Sequence, residues 1–248
     1  MNGPDSKPKL VICEDAEGVA RAGADLFVRE VDSAVRARGR AVVALSGGST
    51  PKRMYELLAT EPWKSKVQWH LVHVFWGDER CVPPSDRASN YRMSSLALLD
   101  QVPIPGGNVH RIPAELSPPK LAASQYEADM RRYFGDSDPV FDLVLLGLGT
   151  NAHTASLFPN TPALSITDRW VAYNFIEEIQ MCRITLTAPV LNAGRAVAFL
   201  VTGQEKADVV RDVLYGDFDP QNKPAQLIRP AGEFIWVLDK AAAAKLPR

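Results

Sequence analysis

One histidine, His153, stands where an imidazole could take part in acid–base chemistry. It follows an apolar run between Phe141 and Leu146 and two glycines, Gly147 and Gly149. Such a run predicts a strand buried on both faces of an α/β sheet, and ligands of these sheets bind beyond the carboxyl ends of the strands. An imidazole on that turn is a candidate general base. The alternative is a histidine that only packs against or caps a loop.

A second segment, SGGSTP, is suited to bind an anion. Gly47 and Gly48 allow the backbone to approach a ligand, and Ser49 and Thr50 add hydroxyl donors. We expect Thr50 to cap the helix that follows, with Pro51 at its first position, so that free amides attract a phosphate or carboxylate. The loop patterns GxxxxGK[ST] and GxGxxG are absent, which disfavours a nucleotide. A tight turn with an ordinary cap is the alternative.

Charged residues after other predicted strands add to this picture. Asp78 and Arg80 lie in WGDER, Arg183 in CRITLT and Lys206 in TGQEKA. We expect the DER triplet at the rim of the sheet, where Arg80 could bind a phosphate in a bidentate manner. Asp78 could accept hydrogen bonds from sugar hydroxyls or orient another side chain. Each residue alone also fits a solvated surface, but together they predict one site for an anionic ligand.

Composition limits the function classes. The 248 residues carry a net charge of −1, so there is no global basic field for nucleic acid. The three cysteines form no CxxC pair, which argues against a disulfide scaffold or zinc site and favours a reducing, cytoplasmic setting. The four histidines show no paired ligand spacing, so neither a metal nor a cofactor is predicted. No apolar run approaches the roughly 20 residues of a membrane helix.

The elements that position these residues alternate along the chain as strand, loop and helix. This order predicts an α/β fold with a mainly parallel, Rossmann-like sheet and helices on both faces. Strands at 170–175 and 182–187 form a small additional β region. An edge strand is expected at 10–13, and the alanine-rich end is expected to be a terminal helix. We predict a flexible tail at residues 1–9 and a single domain at 10–248.

The ordered motifs resemble the 6-phosphogluconolactonase family, within the wider group of glucosamine-6-phosphate deaminase and ribose-5-phosphate isomerase. The resemblance runs from about Leu10 to Leu246. It is carried by ALSGGSTP, FWGDERCVPPSDRASNYRM, NVHRIP, FDLVLLGLGTNAHTASLFP, RITLTAPVLNAGRAVAFLVTGQEKA and PAQLIRPAGEFIWVLD. It implies hydrolysis of 6-phospho-D-glucono-1,5-lactone to 6-phospho-D-gluconate, in the oxidative branch of the pentose phosphate pathway.

The resemblance also implies roles for individual residues. His153 would be the general base that activates water. The sugar-phosphate pocket would be lined by Gly47, Gly48, Ser49, Thr50, Arg80, Lys206 and Arg183, and supported by Asp78 and Asn90. The substrate would be a small sugar phosphate lactone, and the protein a monomer or weak homo-oligomer.

The catalytic loop departs from the family pattern. The family usually has Asp-Gly-His, whereas this chain has Asn151, Ala152 and His153. An asparagine can accept a hydrogen bond from the imidazole, but it supplies no negative charge. We therefore expect a weaker base unless Asp78 compensates, and a negative φ at Ala152. A sugar-phosphate isomerase or deaminase, or a non-catalytic sugar-phosphate-binding protein, remain the alternatives.

Overall fold

Six parallel strands form the central sheet of the computed structural model, which describes residues 8–135 and 137–247. The strands of the chain are β1 (Lys9–Cys13), β2 (Ala41–Leu45), β3 (Val72–Trp76), β4 (Asp78–Arg80), β5 (Leu143–Leu146), β6 (Val171–Ile176), β7 (Met181–Leu186), β8 (Ala196–Val201) and β9 (Glu233–Asp239). The helices are α1 (Ala16–Arg38), α2 (Ser49–Leu58), α3 (Trp63–Lys66), α4 (Asn90–Ala97), α5 (Pro119–Phe134), α6 (Ala188–Asn192) and α7 (Ala207–Tyr215).

The central sheet has the order β1-β9-β8-β5-β2-β3, and every pairing within it is parallel. All residues of β2, β5 and β8 are buried, as expected for strands covered on both faces. The strand β1 lies at the edge, as predicted. The α/β class with a mainly parallel, helix-flanked sheet is therefore confirmed.

A second sheet of three antiparallel strands, in the order β4-β7-β6, forms the additional β region. Gly77, which lies between β3 and β4, links it to the central sheet. The Gly77 N–H donates to the carbonyl of Leu45 in β2 at 2.9 Å, and its carbonyl accepts from the N–H of Leu186 in β7 at 2.8 Å. Gly77 is thus hydrogen-bonded to both sheets.

Two predictions about helices are wrong: the cap of the helix after β2 and the helix at the alanine-rich end. Helix α2 begins at Ser49 with Gly48 as its N-cap, because the Thr50 hydroxyl hydrogen-bonds Thr202 at 2.8 Å instead of capping. The alanine-rich end forms hydrogen-bonded turns and no α-helix. Its backbone hydrogen bonds run from Ala243 to Asp239, from Ala244 to Ala241 and from Leu246 to Ala243, so three- and four-residue spacings mix and no continuous α-helical series forms.

The amino-terminal boundary is close to the prediction. Strand β1 begins at Lys9, the last residue of the predicted tail, and residues 1–7 of that tail lie outside the described residues. Within the described part of the chain, no helix has the length and apolar character needed to cross a bilayer.

Candidate active site

A cleft of about 360 Å³ opens at the carboxyl ends of four adjacent parallel strands, β8, β5, β2 and β3. This is where ligands of open α/β sheets bind, and the volume suits a small ligand. The predicted site residues that line it are Gly47, Gly48, Ser49, Thr50, Asp78, Arg80, Asn90, His153, Arg183 and Lys206. The predicted residue Asn151 lies behind His153 and does not line the cleft.

The turn after β2 provides the amides of a helix start. Gly48 has φ 110°, a conformation that L-residues rarely adopt, and α2 begins immediately after it. A side chain at Gly47 would overlap the Asn90 carboxamide, whose nitrogen donates to the backbone carbonyl of Asp78 at 3.0 Å. The turn after β2 is therefore packed against the start of α4, which Asn90 connects to β4, and the turn lines the cleft.

Three cationic side chains also line the cleft. Arg80 and Arg183 lie directly opposite each other on β4 and β7, and Lys206 comes from the turn after β8. Burial lowers the pKa of Arg183, with a further contribution from Arg80, and burial also lowers the pKa of Lys206. The Arg80 Nε is buried and has no hydrogen-bond partner within the protein. An anion in this cleft would compensate all three charges.

The hydrogen bonds of His153 fix its tautomer. Its backbone N–H and its Nδ1 both contact Oδ1 of Asn151, at 3.3 and 2.6 Å. A backbone N–H can only donate, so the Asn151 atom is an acceptor oxygen and the ring must donate from Nδ1. The lone pair therefore resides on Nε2, which is the arrangement that a general base requires.

Packing and charge define the state of the imidazole. The ring stacks on Phe158 with centroids 4.0 Å apart and an interplanar angle of 10°. A Cβ atom at Gly149 would overlap Nδ1, so only glycine leaves room for the ring at that position. Burial lowers the pKa of His153 to about 4, with smaller contributions from Lys206, Arg183 and Arg80. The imidazole is thus neutral at physiological pH.

Asp78 and Glu79 are buried, which corrects the expectation that they lie at the rim of the sheet. Burial raises the pKa of both carboxyls, and hydrogen bonds oppose that rise. Asp78 Oδ2 accepts from the Ser156 hydroxyl at 2.7 Å. Glu79 accepts from the Ser89 hydroxyl and from the backbone N–H groups of residues 80, 90 and 91. These donors make burial of the carboxylates tolerable.

Asp78 does not take the place of the missing family aspartate. Its side chain is directed to Ser156 and Asn90, and the acceptor on the His153 ring is Asn151. The prediction of a negative φ at Ala152 is also wrong, because φ is +63°. The Ala152 N–H bonds the Gly149 carbonyl at 3.0 Å, and its own carbonyl accepts from Ala225 at 2.9 Å, so tertiary contacts impose this conformation.

Several residues of the site were not found from the sequence. Ser156, Phe158, Thr202 and Glu205 all line the cleft. The first two lie in an irregular loop after β5, where no periodicity shows which side chains face inward. Thr202 and Glu205 lie in the same turn after β8 as Lys206, and their position at the end of that strand was a usable signal.

The described residues contain no group of three or more histidine, cysteine, aspartate or glutamate side chains that could hold a metal ion. The cleft is lined by three cationic side chains, hydroxyls, a neutral imidazole, the Asn90 carboxamide and the carboxylates of Asp78 and Glu205. The protein is therefore an α/β protein with a polar cleft at its strand ends, in which the cations could compensate a small anionic ligand.

Comparison with known proteins identifies the family. Residues 14–236 match the family model described as glucosamine-6-phosphate isomerases/6-phosphogluconolactonase, and the chain belongs to that family. A 6-phosphogluconolactonase of Synechocystis is 43% identical, with 87% of this chain and 89% of the relative covered. One from Nostoc is 39% identical, with 97% and 99% covered. The structure of 6-phosphogluconolactonase from Trypanosoma cruzi superimposes with a TM-score of 0.86 at 29% identity, covering 100% of both chains.

Proposed function

We propose that this protein hydrolyses 6-phospho-D-glucono-1,5-lactone to 6-phospho-D-gluconate, with His153 as the base that activates water and without a metal. The observation that carries the proposal is the neutral imidazole, with its lone pair on Nε2, in one strand-end cleft with the cationic side chains of Arg80, Arg183 and Lys206. The named relatives at 43% and 39% identity support the choice of substrate.

The phosphate of the lactone is held by the turn after β2 together with Arg80 and Lys206. All three cationic side chains lower the pKa of His153, so a phosphate placed among them lies near the imidazole. Binding of the dianion offsets this effect and makes the imidazole a stronger base. Fixing the phosphate also orients the reacting carbonyl, which can supply several kcal/mol of the rate enhancement.

The reaction then needs one proton carrier. Nε2 of His153 takes a proton from water, and the hydroxide adds to C1 of the lactone. The tetrahedral intermediate collapses, the bond between C1 and the ring oxygen breaks, and the imidazolium returns its proton to the oxygen on C5. Asn151 holds the ring through Nδ1 during both transfers.

The test is a stopped-flow assay with freshly prepared lactone, corrected for spontaneous hydrolysis. We expect His153→Ala to lose about 10²-fold or more in kcat, the usual contribution of a general base, while binding of 6-phosphogluconate changes little. The matched control is His70→Ala, because His70 is exposed and outside the cleft. Unchanged turnover of the His153 variant would remove this residue from the mechanism.

The same assay set separates the alternatives. Release of ammonia from glucosamine 6-phosphate would indicate a deaminase, and binding of 6-phosphogluconate without faster lactone opening would indicate a sugar-phosphate-binding protein.

We further propose that the protein is a cytoplasmic monomer or weak homo-oligomer and that it does not bind nucleic acid. Sedimentation at several concentrations would test the oligomeric state, and a nucleic-acid binding assay would test the last point.

A further inference from the structure

Cys81 and Cys182 are far apart in the sequence but lie opposite each other across the small sheet. Strands β4 and β7 pair antiparallel with Arg80 opposite Arg183, and the next position in that register places Cys81 opposite Cys182. The Cys81 N–H donates to the Cys182 carbonyl at 3.2 Å, which extends the pairing to these residues. Directly opposed residues have Cβ atoms roughly 4.5–5.5 Å apart, close to the ~3.5–4.5 Å of a disulfide.

The two thiols also interact with each other. Burial raises the pKa of the Cys81 thiol to about 12, and the neighbouring Cys182 adds to the rise. The Cys182 sulfur lies 3.9 Å from the Tyr173 hydroxyl. Both cysteines are reduced and partly accessible to solvent. The third cysteine, Cys13, is on β1, at the edge of the other sheet.

The cysteine pair is connected to the cleft through one carbonyl group. The carbonyl oxygen of Cys182 accepts from Nη1 of Arg183 at 3.3 Å as well as from the Cys81 N–H. Successive side chains of a strand point to opposite faces, so the arginines reach the cleft while the cysteines lie on the other face. A change in strand spacing at the cysteines therefore moves the oxygen that holds the Arg183 guanidinium.

We propose that Cys81 and Cys182 are a redox pair that a low-molecular-weight disulfide oxidises to a cross-strand disulfide, which weakens anion binding in the cleft through Arg183. Nothing else in the proposed function requires these thiols. The reduced pair corresponds to the binding-competent protein.

The chemistry is thiol–disulfide exchange. Cys182 gives its proton to solvent, its thiolate attacks one sulfur of the small disulfide, and one small thiolate leaves. Cys81 then gives its proton to solvent, attacks the Cys182 sulfur of the mixed disulfide and displaces the second small thiolate. Two protein thiols are oxidised to one disulfide, and one small disulfide is reduced to two thiols.

The test uses the full chain carrying Cys13→Ser, so that only the pair remains, in buffers of reduced and oxidised glutathione. After oxidation we expect both reactive thiols to be lost, the mass to fall by two hydrogen atoms, and a peptide map to link residues 81 and 182. Dithiothreitol should reverse all three. Calorimetry with 6-phosphogluconate should show affinity reduced roughly tenfold, the effect of losing one charge-assisted hydrogen bond.

Single variants Cys81→Ser and Cys182→Ser in the same background are the controls. They cannot close the disulfide, and their remaining cysteine can only take up one glutathione.

If the folded Cys13→Ser protein keeps both thiols in oxidised glutathione, the pair is not redox-active and the proposal fails. If the disulfide forms and affinity is unchanged, the connection through Arg183 is wrong. The binding measurement rests on the proposed function, whereas thiol counts and mass do not, so failure of one is distinguishable from failure of the other.

Discussion

At the scale of single residues, the sequence predicted the position of the imidazole and of many residues around it, but not the backbone conformation of its loop. His153 was predictable because it follows a buried strand and two glycines, a position set by local pattern. Its partner Asn151 was visible in the same loop. The left-handed conformation of Ala152 was not, because it is imposed by a hydrogen bond from Ala225, more than seventy residues further along the chain. Tertiary bonds of this kind leave no local signal.

The charge at position 151 is expected to influence the pKa of the His153 imidazole. We expect Asn151→Asp to raise the pKa of His153 above about 4, because a carboxylate against Nδ1 stabilises the imidazolium. Titration of the imidazole by NMR would measure this. Gln101→Glu is the control, since it adds the same charge at an exposed position outside the cleft. An unchanged pKa in the Asn151 variant would mean that the aspartate does not contact the ring.

Ala152 carries a conformational cost that glycine would remove. The left-handed conformation costs a non-glycine residue about 1–2 kcal/mol, and the extra freedom of glycine in the unfolded chain returns about 0.4–1 kcal/mol of this. We expect Ala152→Gly to raise the free energy of unfolding by roughly 0.5 kcal/mol, measured by urea denaturation. Ala59→Gly should lower it, because φ is −77° there; a loss in both variants would contradict this account.

At the scale of elements, strands were predicted better than helix ends. The strands predicted at 170–175 and 182–187 each differ by one residue at either end from β6 and β7. The cap of α2 was wrong because the Thr50 hydroxyl has a partner on the turn after β8. The sequence placed the turns predicted to bind an anion at strand ends, but the neighbouring order of those strands required the structure.

The turn after β5 must leave room for the imidazole. We expect Gly149→Ala to reduce kcat by about 10²-fold, the cost of displacing a reacting group by about 1 Å, because the new methyl group would overlap Nδ1 of His153. Gly147→Ala is the matched control on the same turn, since no atom outside its immediate neighbours lies within 4 Å of its added Cβ. Lactonase assays of both variants test this; equal losses would contradict the steric argument.

At the scale of the whole molecule, the α/β class and the small second sheet were predictable from the order of elements. The burial of Asp78 and Glu79 was not, because a charged triplet usually lies at the surface, and the donors that satisfy these carboxylates come from α4 and from the loop after β5. The meeting of Cys81 and Cys182 has the same origin, since antiparallel pairing of distant segments has no sequence signature.

Glu79 fixes α4 to the small sheet. We expect Glu79→Ala to lower the free energy of unfolding by about 3 kcal/mol or more, because it leaves several donors buried without a partner. Denaturation by guanidinium measures the change. Glu178→Ala, at an exposed position, should have little effect. Similar values for the two variants would show that the donors find other partners.

Gly77 has a consequence for how substrate range can change. Gly77, held by Leu45 on one side and Leu186 on the other, links the sheet that precedes the imidazole loop to the small sheet that carries the two arginines. These hydrogen bonds set the distance between the two ends of the cleft. A change to a longer or shorter substrate would therefore require new turns around the cleft rather than a shift of one sheet against the other.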